Sequence, residues 1–240
     1  MKRIYVLMVE LPTLSNKILY LLTGFKYSHF SICLDNKLKN LYAFQTRNKK
    51  VPLVGGFVKE NESFYFHGKK NITLNEMIFE IPVTNKEYYE ISKYIRTIEK
   101  DKEYVFNYIS CLFMLIFGGL KSYKSFHCCE FVSEILNMIN SVDLPKKTYK
   151  MHPKDLYNVL KNFNHYEKKI FSNDYEIDDS IFFKNIKATS VIKKSLYSAT
   201  ESIIRFVFQK PRKKYDYHNC NFYINDIKSD SIKNIVLTSD

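Results

Sequence analysis

Hydrophobic and polar positions alternate along this chain in two different rhythms. Residues 4–9 are apolar without a break and read as a buried β-strand. Lys2 and Arg3 precede that run, but about six apolar residues fall short of the ~7–15 of a secretory h-region. After Pro12 and Thr13, Ile18, Leu21 and Leu22 fall at helical spacing, which predicts a helix over 14–22 ended by Gly24. Residues 27–34 return to period two, with Phe30, Ile32 and Leu34 on one face and His29, Ser31 and Cys33 on the other. Asp35 and Asn36 make a turn, and 41–45, 57–60, 63–66 and 77–83 read as further strands. The spacing then predicts helices over 86–100, capped by Thr84 or Asn85, over 105–117, stopped by Gly118 and Gly119, and from near 126 to 139. Pro153 suits the first position of a helix over 153–160, and 165–171 closes the main unit as a strand. Strands and helices in this order indicate an α+β fold.

The character changes after residue 172. Asp174, Glu176, Asp178 and Asp179 form an acidic link. An amphipathic helix is expected over 186–208, with Ile192, Leu196, Ala199 and Ile203 on one stripe and Lys193, Lys194 and Arg205 off it. Lys210, Arg212, Lys213 and Lys214 follow.

Composition narrows the function classes. The 240 residues are 45% hydrophobic and 26% charged, as globular chains are. Neither GxxxxGK[ST] nor GxGxxG occurs, so the two commonest nucleotide cradles are missing. The net charge of +12 suits an anionic partner, yet no RRM, helix-turn-helix or zinc-finger pattern accompanies it, and no nucleic acid is expected. Cys33, Cys111, Cys128, Cys129 and Cys220 are odd in number and irregularly spaced, which fits a reducing, cytoplasmic setting rather than a disulfide framework. Scattered Cys and His lack ligand spacing, so neither metal nor cofactor is expected. The longest apolar stretch, 105–120, is shorter than the ~20 residues that span a bilayer.

Cys128 and Cys129 stand where a helix starts. From Cys128, steps of 3, 4, 7 and 11 reach Phe131, Val132, Ile135 and Ile139, all apolar; from Cys129 they reach Val132, Ser133, Leu136 and Asn140. Cys128 is therefore expected to point into the fold. Unpaired N–H groups and the dipole at a helix start favour a thiolate and can hold an oxyanion. The pair alone also fits two small buried hydrophobes. His29, on a strand face of small residues, supplies the imidazole that a thiol nucleophile needs.

Three segments carry a resemblance: Tyr27-Ser28-His29-Phe30-Ser31-Ile32-Cys33, then Gly55-Gly56-Phe57-Val58-Lys59-Glu60, then His127-Cys128-Cys129-Glu130-Phe131-Val132. In this order they resemble the circularly permuted papain-like cysteine hydrolases of the NlpC type, close to the YiiX/YaeF-like group and its low-GC bacterial branch. Met151-His152-Pro153-Lys154-Asp155-Leu156 is similar to that family's proline-x-aspartate-leucine helix start. The resemblance covers residues 3–172. It implies an antiparallel sheet packed against helices, a hydrolase domain over 1–172 and a basic extension over 173–240. Position by position it puts Cys128 on the nucleophile and His29 on the base. Cys129 stands where the family has a small residue or serine. For the residue that orients the imidazole, Glu60 is the candidate, with Gln45 behind it.

The expected function is a cysteine hydrolase (an amidase or peptidase) or an acyltransferase, working through an acyl-enzyme on Cys128. Peptides and acyl-lipids both fit as substrates. The basic tail adds an anionic membrane surface as a partner, with the chain peripheral to it. The rival is a catalytically inactive papain-like scaffold that binds a membrane or a protein through that tail.

Overall fold

The computed structural model describes residues 1–47, 51, 53–66, 68–175 and 188–211. Glu176, Asp178 and Asp179 of the acidic link, Arg212, Lys213 and Lys214 of the basic cluster, and Cys220 lie outside them.

The apolar run near the start forms β1 (Lys2–Val9). It is apolar without a break because it is buried on both faces. Ile4, Val6 and Met8 enter one core cluster, and Tyr5, Leu7 and Val9 enter another. Around it lie β2 (His29–Cys33), β3 (Leu41–Thr46), β4 (Gly55–Glu60), β5 (Thr73–Val83), β6 (Val105–Phe106), β7 (Ser125–Phe126) and β8 (Asn164–Phe171). They form one eight-stranded sheet in the order β7-β6-β4-β3-β2-β1-β5-β8. The sheet is mixed rather than antiparallel, because β6 and β7 pair in parallel, Val105 with Ser125 and Phe106 with Phe126.

The helices are α1 (Leu14–Thr23), α2 (Asn85–Lys100), α3 (Tyr108–Phe117), α4 (Cys128–Leu136), α5 (Pro153–Leu160) and α6 (Ala188–Phe208). Local chemistry sets their bounds. Thr84 and Glu87 form a reciprocal capping box on α2. Gly24 and Gly118 end α1 and α3 in the left-handed conformation that favours glycine.

Several expectations need correction. Residues 63–66 are not a strand; Glu62–Phe66 is a 3-10 turn that seats Tyr65 and Phe66 in the core. Residues 105–117 are not one helix. Asn107 accepts from the Ser110 amide, so α3 starts after it, and Val105 and Phe106 join the sheet instead. In the same way the His127 side chain accepts from the Glu130 amide and fixes the start of α4, leaving Phe126 in β7.

The pairings set strand directions. β1, β3, β6 and β7 run the same way, and β2 and β4 run against them. The segments after those four strands therefore leave from one edge of the sheet. That edge gathers α1, the Val51–Val54 region, the start of α3 and the start of α4, together with His29 at the beginning of β2.

The stripe of α6 is also corrected. The helix turns Ser198, Glu201, Ser202 and Arg205 inward, while Ile192, Leu196 and Ile203 are exposed. Its inner surface is lined by backbone carbonyls. Arg205 Nη1 donates to the carbonyls of Glu103 (2.7 Å), Lys124 (3.2 Å) and Tyr123 (3.3 Å), and the Ser198 hydroxyl donates to that of Leu53. Carbonyl oxygens call for donors, so the polar face of α6 goes in.

Candidate functional site

β2 delivers His29 to the gathering edge, buried and paired with Val9 of β1. Its Nε2 lies 2.7 Å from Glu60 Oε1. Glu60 is the last residue of β4 and is buried. Its other carboxylate oxygen accepts a short hydrogen bond from the Gln45 side-chain amide on β3. At the other end of β4, a Cβ on Gly55 would meet the Gln45 carbonyl oxygen at 2.6 Å and Phe106 Cβ at 2.8 Å, and one on Gly56 would meet the Arg47 guanidinium at 2.6 Å, so the paired glycines let β4 lie close to its neighbours.

Cys128 opens α4, half-buried, with its thiol 3.9 Å from the carbonyl oxygen of Ser28, the residue before His29, and close enough to the His29 ring to act on its basicity. Burial alone would lower the basicity of His29. The Glu60 carboxylate and Cys128 overcome it and hold the imidazole up to about 10. The ring is thus an imidazolium across neutral pH.

The route by which helix and strand meet differs from the expected one. Cys129, Phe131, Val132 and Ile135 of α4 pack with Phe30 and Ile32, on the face of β2 away from Ser31 and Cys33. What covers the His29 face is Tyr65. Its ring stands edge-on to the imidazole at 5.5 Å, and its hydroxyl lies 3.0 Å from the Ser31 hydroxyl. The thiol reaches His29 round the end of the strand, where His29 is the first residue. Nothing in the sequence pattern marked Tyr65, because the segment that carries it reads as a strand.

The helical-face expectation needs correction: the fully buried cysteine is Cys129, because α4 is buried on nearly every side, while Cys128 at its start is half-buried. Cys129 goes deeper and donates to the Met151 carbonyl oxygen at 3.2 Å. Burial first, then the neighbouring Cys128, push its thiol well above the usual range. Met151 is placed by the segment leading into α5, where the His152 amide donates to Asp155. The amides of Cys128 and Cys129, in the first turn of α4, have no acceptor within the helix.

Neighbouring titratable groups are neutral. Burial, with some help from His152, lowers His127 to about 3, so it caps α4 as a neutral ring. Burial raises Glu130 to about 8. Glu76 of β5 is buried with no hydrogen-bond partner on either carboxyl oxygen among the described residues, and burial raises it to about 8 as well. At neutral pH it is a carboxylic acid and sets no charge against Glu60.

Among the described residues no group of three or more His, Cys, Asp and Glu is placed to hold a metal ion. None of the described helices is long and apolar enough to cross a membrane. No family model, no curated protein and no solved structure matches this chain.

Proposed function

We propose that this chain is a cysteine hydrolase or acyltransferase of the circularly permuted papain-like kind, acting on an amide or ester carbonyl. One observation carries the reading. A buried imidazole, a buried carboxylate and an amide form one hydrogen-bonded line, from His29 through Glu60 to Gln45, and the half-buried thiol of Cys128 stands at the imidazole end of it, at a helix start. They come from α4, β2, β4 and β3, so the fold rather than local sequence assembles them.

The roles follow from the geometry. Glu60 holds Nε2 of His29, which leaves Nδ1 for exchange with sulfur. An imidazolium beside the sulfur favours the anionic nucleophile. The thiolate attacks the carbonyl carbon, forming the C–S bond and a tetrahedral oxyanion. The amides of Cys128 and Cys129 are the donors nearest to hand for that oxyanion. As the C–N or C–O bond breaks, the leaving group takes the proton from His29. Water, or another acceptor hydroxyl or amine, then gives its proton to His29 and attacks the thioester. The C–S bond breaks and the proton restores the pair. Peptides and acyl-lipids fit this chemistry equally.

The scaffold reading, in which the cysteine is idle, gives no role to a buried carboxylate 2.7 Å from the imidazole, and that contact favours the hydrolase.

Thiol labelling tests the reading. Iodoacetamide near neutral pH should modify Cys128 first, located by mass spectrometry. Cys128→Ser should abolish the fast phase and Cys129→Ser should leave it intact. Equal loss from both substitutions, or fast labelling confined to Cys129, would refute the assignment.

A further inference from the structure

The helices beside the site break the rule by which surface helices of a globular domain show a polar face to solvent. In α1, Leu14 is 73% exposed, Leu21 83% and Leu22 64%. Leu112 on α3 is 72% exposed. Along α6, Ile192 is 61% and Leu196 63% exposed. Scattered exposed leucines are ordinary, but those of α1 and α6 fall in stripes, and Leu112 adds an exposed leucine on α3.

The three helices lie about one edge of the sheet. α1 and α3 both leave the sheet edge where His29 and Cys128 meet. α3 also packs against α6. The first half of α6 packs there too, with Val191 and Tyr197 against Val51 and Val54 of the β3–β4 connection.

Charge indicates what covers them. α1 and α3 contain no acidic residue, and the one acid of α6, Glu201, is buried against Arg205 at 2.5 Å. Lys17 and Lys193 are exposed among the apolar side chains, and exposed Lys210 follows α6. A second copy of the chain would set these lysines against their own equivalents, in a protein already at +12. An anionic surface attracts them while the leucines and isoleucines enter an apolar layer.

We infer that the edge carrying Cys128 is a docking surface for an anionic lipid bilayer. α1, α3 and the first half of α6 lie at the headgroup boundary, and the thiol faces the membrane. The surface follows from exposure and charge, and it stands whether or not Cys128 is a nucleophile.

Co-sedimentation of the full chain with vesicles of phosphatidylcholine and phosphatidylglycerol at 3:1 tests this, against phosphatidylcholine alone. At low salt the protein should bind the anionic vesicles at least tenfold more tightly, and added salt should weaken the binding. The double substitutions Leu21→Glu with Leu22→Glu, and Ile192→Glu with Leu196→Glu, should each weaken binding at least tenfold. Circular dichroism and the rate of Cys128 alkylation should stay unchanged, which separates loss of docking from loss of fold or site. The inference fails if the protein ignores anionic vesicles, or if the glutamate variants bind as the parent does. It also fails if sedimentation velocity shows a dimer that the same variants dissociate, for then a second copy covers the face.

Discussion

Two helices of this chain, α2 and α6, carry similar sequence signals and pack in opposite senses. Both have apolar residues at helical spacing with basic residues off the stripe. α2 does as its pattern asks: Ile91, Ile95 and Ile98 are buried, while Lys86, Glu90, Lys93 and Arg96 face out. α6 does the reverse. Serines, Glu201 and Arg205 go in, and Ile192, Leu196 and Ile203 go out. The difference lies in what each helix meets. α2 belongs to the apolar cluster of β1 and its neighbours, whereas α6 meets the backbone carbonyls of residues 53, 103, 123 and 124. An amphipathic stripe states that two environments exist and leaves open which of them is the core.

If that contrast is right, the largest effect on α6 comes from its polar side. Arg205 is fully buried, pairs with Glu201 at 2.5 Å and satisfies three carbonyls. Removing one partner of a buried pair costs about 3–5 kcal/mol. Arg205→Ala should therefore release α6, seen as fast hydrogen exchange in 188–208 while β1 and β5 stay protected. Unchanged protection of α6 would break the comparison.

The smallest effect should come from the apolar side. Leu196→Ser should shift unfolding stability by no more than about 0.5 kcal/mol, the usual range for exposed positions. A loss of about 2 kcal/mol or more in denaturant unfolding, which points to a core contact, would mean that this face is packed in the free protein.

The same limit explains what the sequence made legible. Elements whose partners are local were readable: the Thr84 cap, Pro153 at the start of α5, and β1 with its unbroken run. The α+β class followed from their order. Features set by distant partners were not readable. Tyr65 reaches His29 only because Glu62–Phe66 curls into a turn. The parallel β6–β7 pair depends on two-residue strands too short to show a period. The site stood between these cases. Cys128 and His29 could be singled out from residue type and position, and Glu60 only as the best of few carboxylates. The face argument that separated Cys128 from Cys129 was blunt, because α4 is buried nearly all round. What distinguishes the two thiols is that Cys129 donates to Met151 and Cys128 faces the imidazole.

The central claim is that Cys128, His29 and Glu60 act as one charge-coupled unit, and the titration of His29 tests it most directly. Its value of about 10 lies above the ordinary 6.5, so protonation stabilises the fold fully below 6.5. That contribution is lost as pH rises through about 10. In histidine-labelled protein followed by NMR, His29 should remain an imidazolium through neutral pH, and both Glu60→Gln and Cys128→Ser should bring its midpoint down. His127, neutral until about 3, is distinguishable from it. A His29 that titrates near 6.5, and does not respond to Cys128→Ser, would contradict the account.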